Sequence, residues 1–299
     1  MSLSEFDLIT RYFTAQDYRA DVELGVGDDA AVVTPQAAQN IVLTSCVETI
    51  QSFSTQHPAA CAERGVATIA GRLLARRAPL QWVLLNLTLT PPPPTSWVAE
   101  FSRGVQHALK PWNASLIGGD TTAGTATVVF TGISSRAVAV PGDLPEGGEL
   151  IYVTGTLGNQ ALALLELQHE ITLIKSTKTW VQHKLFTPTL PPGLGTLMQS
   201  SKVRAYPLEL GLVDTLEFLG ARKLGAEIYL DQLPVDPRCL TYLEKMGGRT
   251  LLAETAELGE FILMVAECDQ RQFETEAKKH EIQFTWIGIT TQTAGVRLV

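Results

Sequence analysis

Apolar residues recur along the chain at two spacings, and the alternation between them predicts the elements. Phe6, Ile9 and Phe13 fall at helical spacing behind Ser2 and Ser4, either of which suits an N-cap, so Ser4–Tyr12 reads as a short helix. Gly25–Val33 reads as a turn into a strand, and the β-branched run Asn40–Ser45 as a second strand. Across His57–Arg77, residues Val66, Ile69, Ala70, Leu73 and Leu74 mark one face of a long helix. Arg72 lies beside that stripe, on the side carrying Gly65, Thr68 and Ala75, where small side chains admit a close neighbour. Leu80–Leu89 is an expected strand stopped by Pro91–Pro94. Trp97–Leu109 follows as a helix, Ser115–Ile117 as a short strand and Ala126–Ile133 as a longer one. Pro141–Gly148 (P-G-D-L-P-E-G-G) is the clearest linker. Beyond it the pattern gives strand Leu150–Thr154, helix Ala161–His169, a proline-rich loop at Pro188–Gly195 and helix Leu210–Leu224. Strand Ala226–Leu230, helix Pro237–Met246, strand Glu260–Ala266, helix Gln270–His280 and strand Ile282–Ile289 complete it. The expected fold is α/β (α+β) with mixed sheets, in two domains at residues 1–140 and 147–299.

Composition narrows the class. A chain of 299 residues, 45% apolar and 18% charged, is long enough for two cores and too apolar to be disordered. A net charge of −8 argues against the basic face of a nucleic-acid binder, and the cluster Arg72, Arg76, Arg77 is too short to change that. The longest strongly apolar run, Trp82–Leu89, is broken by Asn86 and Thr88 and is too short to span a bilayer. Met1–Phe13 carries Glu5 and Asp7 and lacks the apolar stretch of a signal peptide. A cytoplasmic protein without membrane association is expected. Cys46, Cys61, Cys239 and Cys268 form no C-x-x-C pair, and the five histidines no H-x-x-x-H pair, so neither zinc nor a disulfide framework is indicated.

Candidate chemistry gathers at two acidic turns. Gly27-Asp28-Asp29 precedes an apolar run, and Gly118-Gly119-Asp120-Thr121-Thr122 follows another. Two such turns in one α/β chain suggest a metal-bridged phosphate site, because magnesium takes hard carboxylate oxygens. The plainer reading of each is a polar turn. Gly155-Thr156-Leu157-Gly158, between a strand and a helix, either approaches a phosphate or simply turns the chain. Cys46 reads as a small buried hydrophobe, with a reactive thiol as the alternative.

Several strings, in this order and spacing, resemble the thiamine-monophosphate kinase family, within the superfamily of aminoimidazole ribonucleotide synthetase and selenophosphate synthetase. They are E-F-x-L-I at Glu5–Ile9, R-Y-F at Arg11–Phe13, D-V-E-L-G-V-G-D-D-A at Asp21–Ala30, L-I-G-G-D-T-T at Leu116–Thr122 and I-Y-V-T-G-T-L-G at Ile151–Gly158. Weaker matches are L-G-A-E-I-Y-L-D-Q-L-P at Leu224–Pro234 and W-I-G at Trp286–Gly288. The resemblance spans nearly the whole chain. It implies an amino-terminal domain of ATP-binding type whose sheet joins a second copy into the barrel of a homodimer, followed by a carboxy-terminal α/β domain. It also implies ATP and thiamine monophosphate as ligands, thiamine diphosphate as product, and several Mg2+ ions held by aspartates between the two sets of phosphates. A transferring phosphoryl group needs its charge neutralised and its oxygens aligned, and such a cage supplies both.

Carried over residue by residue, the match is uneven. Asp28 and Asp29 fall on the G-D-D ligands and Asp120 on the G-G-D aspartate; Gly118, Gly119, Asp120, Thr121, Gly155 and Gly158 are the candidates for nucleotide contact. The family's S-T-D becomes Thr44-Ser45-Cys46, and its N-L-S-D becomes Ile69-Ala70-Gly71-Arg72. D-L-S-D-G-L becomes Pro207-Leu208-Glu209-Leu210-Gly211-Leu212, losing both acids, and the aspartate after V-T-G-T-x-G is Asn159. G-G-E-D-Y-E-L falls on Thr255–Phe261 and keeps Glu257, while a proline-arginine pair near Pro188 is missing. Unit charges about 4 Å apart interact by roughly 4 kcal/mol at an effective dielectric near 20, doubled against a divalent ion and reversed in sign by an arginine. The multi-magnesium mechanism is therefore not expected to operate as it stands. Asp28, Asp29 and Asp120 become vestigial ligands, with the Arg72 guanidinium as their counter-charge or, alternatively, facing solvent beside Arg76. Three readings follow: a family member with lost or much reduced kinase activity, a working kinase with fewer metals, and a non-catalytic protein that binds a nucleotide or thiamine phosphate, or a partner, on the same dimeric scaffold.

Overall fold

The computed structural model describes residues 5–14, 17–27, 30–36, 39–49, 56–90, 95–137, 146–200, 202–220, 224–246 and 248–299. The Asp28–Asp29 pair, the Pro91–Pro94 run and residues 141–145 of the linker lie outside them. The chain forms two compact units, Met1–Ala139 and Val140–Val299. Among the described residues, no helix is long and apolar enough to cross a membrane.

The first unit opens with helix α1 (Glu5–Tyr12) and the small antiparallel pair β1 (Val22–Leu24) and β2 (Val32–Val33). Its main sheet is built from β3 (Gln39–Thr49), β4 (Trp82–Leu89), β5 (Ser115–Ala123) and β6 (Thr127–Ala137), in the order β3-β6-β4-β5. Only the β4–β5 pair is parallel, because α3 (Thr95–Leu109) carries the chain back across the sheet between them. Helix α2 (Pro58–Leu74) is apolar on most of its surface and packs on β3, β6 and α3. The Phe130 ring of β6 occupies the space where a Gly65 side chain would project, and α2 meets α3 at Gly104, where a Cβ would strike the Ala59 backbone. Trp97 stacks on Phe101 at 4.9 Å, and Phe101 tilts against Phe130 at 6.1 Å. On the opposite face of β3, Ile41, Leu43 and Val47 stand exposed.

The second unit is a six-stranded mixed sheet, β12-β9-β11-β7-β10-β8. In chain order it comprises β7 (Leu150–Thr154), α4 (Asn159–Leu167), α5 (Lys175–Phe186), α6 (Leu194–Ser200) and β8 (Arg204–Pro207). Then come α7 (Leu212–Gly220), β9 (Gly225–Ile228), α8 (Pro237–Lys245), α9 (Arg249–Glu254), β10 (Phe261–Val265), α10 (Gln270–Lys279), β11 (Phe284–Thr291) and β12 (Gly295–Leu298). All five residues of β10 are buried, as befits a strand covered on both faces. Tyr152, Phe273 and Phe284 form a mutually packed aromatic cluster with centroids 4.9 to 5.8 Å apart.

Three expectations need correction. The strand expected at Ser115–Ile117 continues to Ala123, so Gly118–Thr121 is paired strand with an irregular register against β4 and not a free turn. The hydrophobic pattern does not announce helices α5, α6 and α9 or strands β1, β8 and β12, and α6 begins inside the expected proline-rich loop. The helix expected at Leu210–Leu224 begins at Leu212, after Gly211 in a left-handed conformation (φ 95°).

Candidate functional site

The parallel β4–α3–β5 crossover brings Gly118–Thr121 alongside Leu85 and Leu87. Gly119 has φ 145°, and a Cβ there would overlap the Leu85 carbonyl, so only glycine lets the two backbones run this close. Between this strand pair and α1 opens a cavity of about 340 Å³. Ile9, Phe13, Leu85 and Leu116 give it apolar walls, while Thr10, Gly27, Asp120 and Thr121 supply polar or backbone positions. Its size suits a heteroaromatic ring system, and its lining holds one carboxylate, Asp120, with no lysine or arginine among the described residues. The Asp120 Oδ1 accepts the Thr121 backbone N–H at 2.8 Å. Gly27 enters the lining with φ 118°, directly before Asp28 and Asp29.

The two positions that the resemblance aligns with ligand aspartates, Cys46 and Arg72, lie on β3 and α2. Cys46 is buried, its thiol 3.5 Å from the Gly65 carbonyl oxygen, as expected of a small hydrophobe at a helix–sheet contact. Arg72 Nη1 donates to the Ser45 carbonyl oxygen at 2.6 Å, tying α2 to β3. Among the described residues no ion pair joins Arg72 to Asp120. A pairing with Asp28 or Asp29 lies outside the described residues.

In the second unit, Gly155 (φ 58°) and Gly158 (φ 84°) shape the loop from β7 into α4. Most backbone donors of this loop are already used. Gly155 N–H donates to the Gln283 carbonyl at 3.1 Å and Leu157 N–H to the Pro234 carbonyl at 2.9 Å. Asn159 N–H, at the start of α4, donates to the Glu257 carboxylate at 2.9 Å, and Asn159 Nδ2 donates to its other oxygen at 3.2 Å. Glu257 therefore sits where a helix N-terminus would attract a phosphate. Of the two readings of this loop, the geometry favours a structural turn held by an internal carboxyl group. Burial, reinforced by the charge of Glu260, pushes the Glu257 carboxyl up to about 8.

Sequence reasoning passed over the groups beside that loop. Glu260 accepts from Thr154 Oγ1 at 2.6 Å and lies 3.5 Å from Lys184 Nζ. Arg238 stacks on Trp180, 3.7 Å from its centroid, and pairs with Asp236, whose carboxyl it holds below the usual range. Lys184, Trp180, Asp236 and Glu260 line a second cavity of about 390 Å³ within this unit. The signal for them lies in α5, where Thr177, Val181 and Leu185 recur every fourth residue and are buried, in a helix whose other residues are polar apart from Trp180 and Phe186.

Magnesium requires several carboxylate oxygens converging on one point. Among the described residues no group of three or more acids, histidines or cysteines converges in that way. Arg72 and Cys46, which the resemblance aligns with ligand aspartates, offer the ion no hard anionic oxygen.

Residues 27–135 match the family described as AIR synthase related protein, N-terminal domain. The thiamine-monophosphate kinase of Haemophilus influenzae is 30% identical, over 99% of this chain and 92% of its own length. The crystal structure of thiamine-monophosphate kinase from Stenotrophomonas maltophilia K279a superposes with a TM-score of 0.85 at 27% identity, covering 100% of this chain and 97% of that one. A structure described as AaThiL complexed with AMPPCP and TMP shares the fold at a TM-score of 0.76 and 19% identity, over 89% of this chain and 85% of that one. On its shared sequence, its mixed α/β fold and the length over which both agree, the chain belongs to the thiamine-monophosphate kinase family.

Proposed function

We propose that this chain keeps the ligand cleft of its family and has lost most of its phosphoryl-transfer activity, the family reaction being ATP-dependent phosphorylation of thiamine monophosphate to thiamine diphosphate. The observation that carries this reading is the pair of side chains at former ligand positions: Arg72, anchored on the Ser45 carbonyl, and Cys46, buried against Gly65. Neither can donate a hard anionic oxygen to Mg2+, and a fixed guanidinium repels the ion. The amino-terminal cavity beside Asp120 supports retained binding, with its apolar walls taking the flat ring of a nucleotide or of thiamine monophosphate. A relative of the same fold complexed with AMPPCP and TMP supports the choice of ligands.

The same cavity also suits a second reading, a protein that binds such a molecule without turning it over, on the dimeric scaffold that the resemblance implies. The measurement that decides is product formation from Mg·ATP and thiamine monophosphate against a mock-purified control, with calorimetric titration of each ligand. Turnover absent or far below the ordinary enzyme range is expected; a kcat of about 1 per second or more overturns the proposal.

A further inference from the structure

We infer that Tyr18 is a positioning residue for the amino-terminal cavity, acting as a strut between the β4–β5 pair and the cavity wall at Val26–Gly27. Both ends of the strut are visible. At its base, the neighbouring Arg19 N–H donates to Ser115 Oγ at 2.8 Å, and Arg19 Nη1 donates to the Asn113 carbonyl at 3.1 Å. The Arg19 guanidinium also grips both oxygens of Asp21 at 3.0 and 2.8 Å, and Trp82 Nε1 donates to that carboxylate at 3.1 Å. Residues 19–21 are thereby fixed to the start of β4 and of β5. At its tip, the Tyr18 hydroxyl accepts the Val26 N–H at 2.9 Å.

Gly25 makes the strut possible. A Cβ at Gly25 would fall inside the Tyr18 ring, so the glycine is there for space and not for an unusual backbone angle. Val26 and Gly27, held by this contact, line the cavity together with Gly118–Thr121. Two walls of one cavity are thus referred to the same strand pair, one directly through β5 and the other through Tyr18. A ligand held between them binds best when the second wall is preorganised.

The role in binding rests on the proposed reading of this cavity as the ligand cleft, so the test has two arms on the full chain. Tyr18→Phe keeps the ring over Gly25 and removes the acceptor; Gly25→Ala expels the ring. Hydrogen exchange at the Val26 amide reads the strut itself. Exchange about fivefold faster in Tyr18→Phe is expected, the size of one ordinary hydrogen bond, and faster still in Gly25→Ala. Calorimetry with Mg·ATP and with thiamine monophosphate reads the consequence. The ligand that wild type binds is expected to lose three- to tenfold in affinity in Tyr18→Phe at unchanged Tm, a loss that a role in global stability alone would not produce. Unchanged Val26 exchange overturns the strut whatever the ligand does. Wild-type binding with equal binding by Tyr18→Phe overturns the positioning role alone, and a wild type that binds neither ligand overturns the cleft reading together with the role that depends on it.

Discussion

Glu257 shows how far a single side chain can depart from its ordinary behaviour when its partners are internal. Its carboxyl is buried, receives the Asn159 amide N–H and side-chain N–H, and lies close enough to Glu260 to be raised by it. The ordinary value of 4.5 applies in the unfolded chain, and about 8 in the fold. A folded value above the unfolded one means that folding favours the protonated form. Its contribution to stability is whole below the ordinary value and is lost as pH rises through about 8. Glu257→Gln cannot ionise, so the difference between wild-type and variant denaturation midpoints is expected to shift against wild type between about pH 5 and pH 8.5. A difference that stays flat across that range would remove the assignment. Asp120 and the glycines around it were legible from a short motif, because their neighbours are adjacent in sequence. The partners of Glu257 lie 98 residues away, so nothing local announces that the carboxylate caps α4.

Among the elements, those with a clean period were the legible ones. Helix α2 and strand β4 carry continuous apolar faces, and the structure gives both within a few residues of the pattern. Helix α5 has no clean apolar stripe, because only Thr177, Val181 and Leu185 are buried and, Trp180 and Phe186 apart, the rest are Lys, Ser, Thr, Gln and His. Strand β5 was cut short because G-G-D-T-T is good turn chemistry, and parallel pairing with β4 overrides it. The close fit of α2 on β6 gives the test at this scale. Gly65→Ala places a methyl group inside the Phe130 ring position, and in this packed core the ring must move against Phe101. A loss of about 1–3 kcal/mol is expected, the ordinary cost of overpacking, read from urea midpoints. A neutral substitution would show that the helix and sheet are not in register as described.

At the scale of the whole molecule, the question left by the fold is what covers β3. It is an edge strand of 11 residues, long enough to recruit another chain, and its outer face presents Leu43 and Val47 at 62% exposure each and Ile41 at 43%. An apolar row on a long edge strand is the kind of surface an interface covers. The homodimer that the family resemblance implies would supply a second copy as the occupant, and the sheet, open in the single chain, would close against it. Fully burying a leucine or valine contributes roughly 1.5–3 kcal/mol. With 62% of each side chain left to bury, two such residues from each of two copies give about 4–7 kcal/mol, at the low end of the 4–15 kcal/mol that association costs in lost freedom. Removing that row should therefore decide the oligomeric state. Sedimentation equilibrium is expected to give twice the 32.4 kDa chain mass for wild type and the single mass for Leu43→Glu combined with Val47→Glu, with the far-UV spectrum unchanged. A monomeric wild type would remove the homodimer, and a double variant that remains dimeric would place the interface elsewhere.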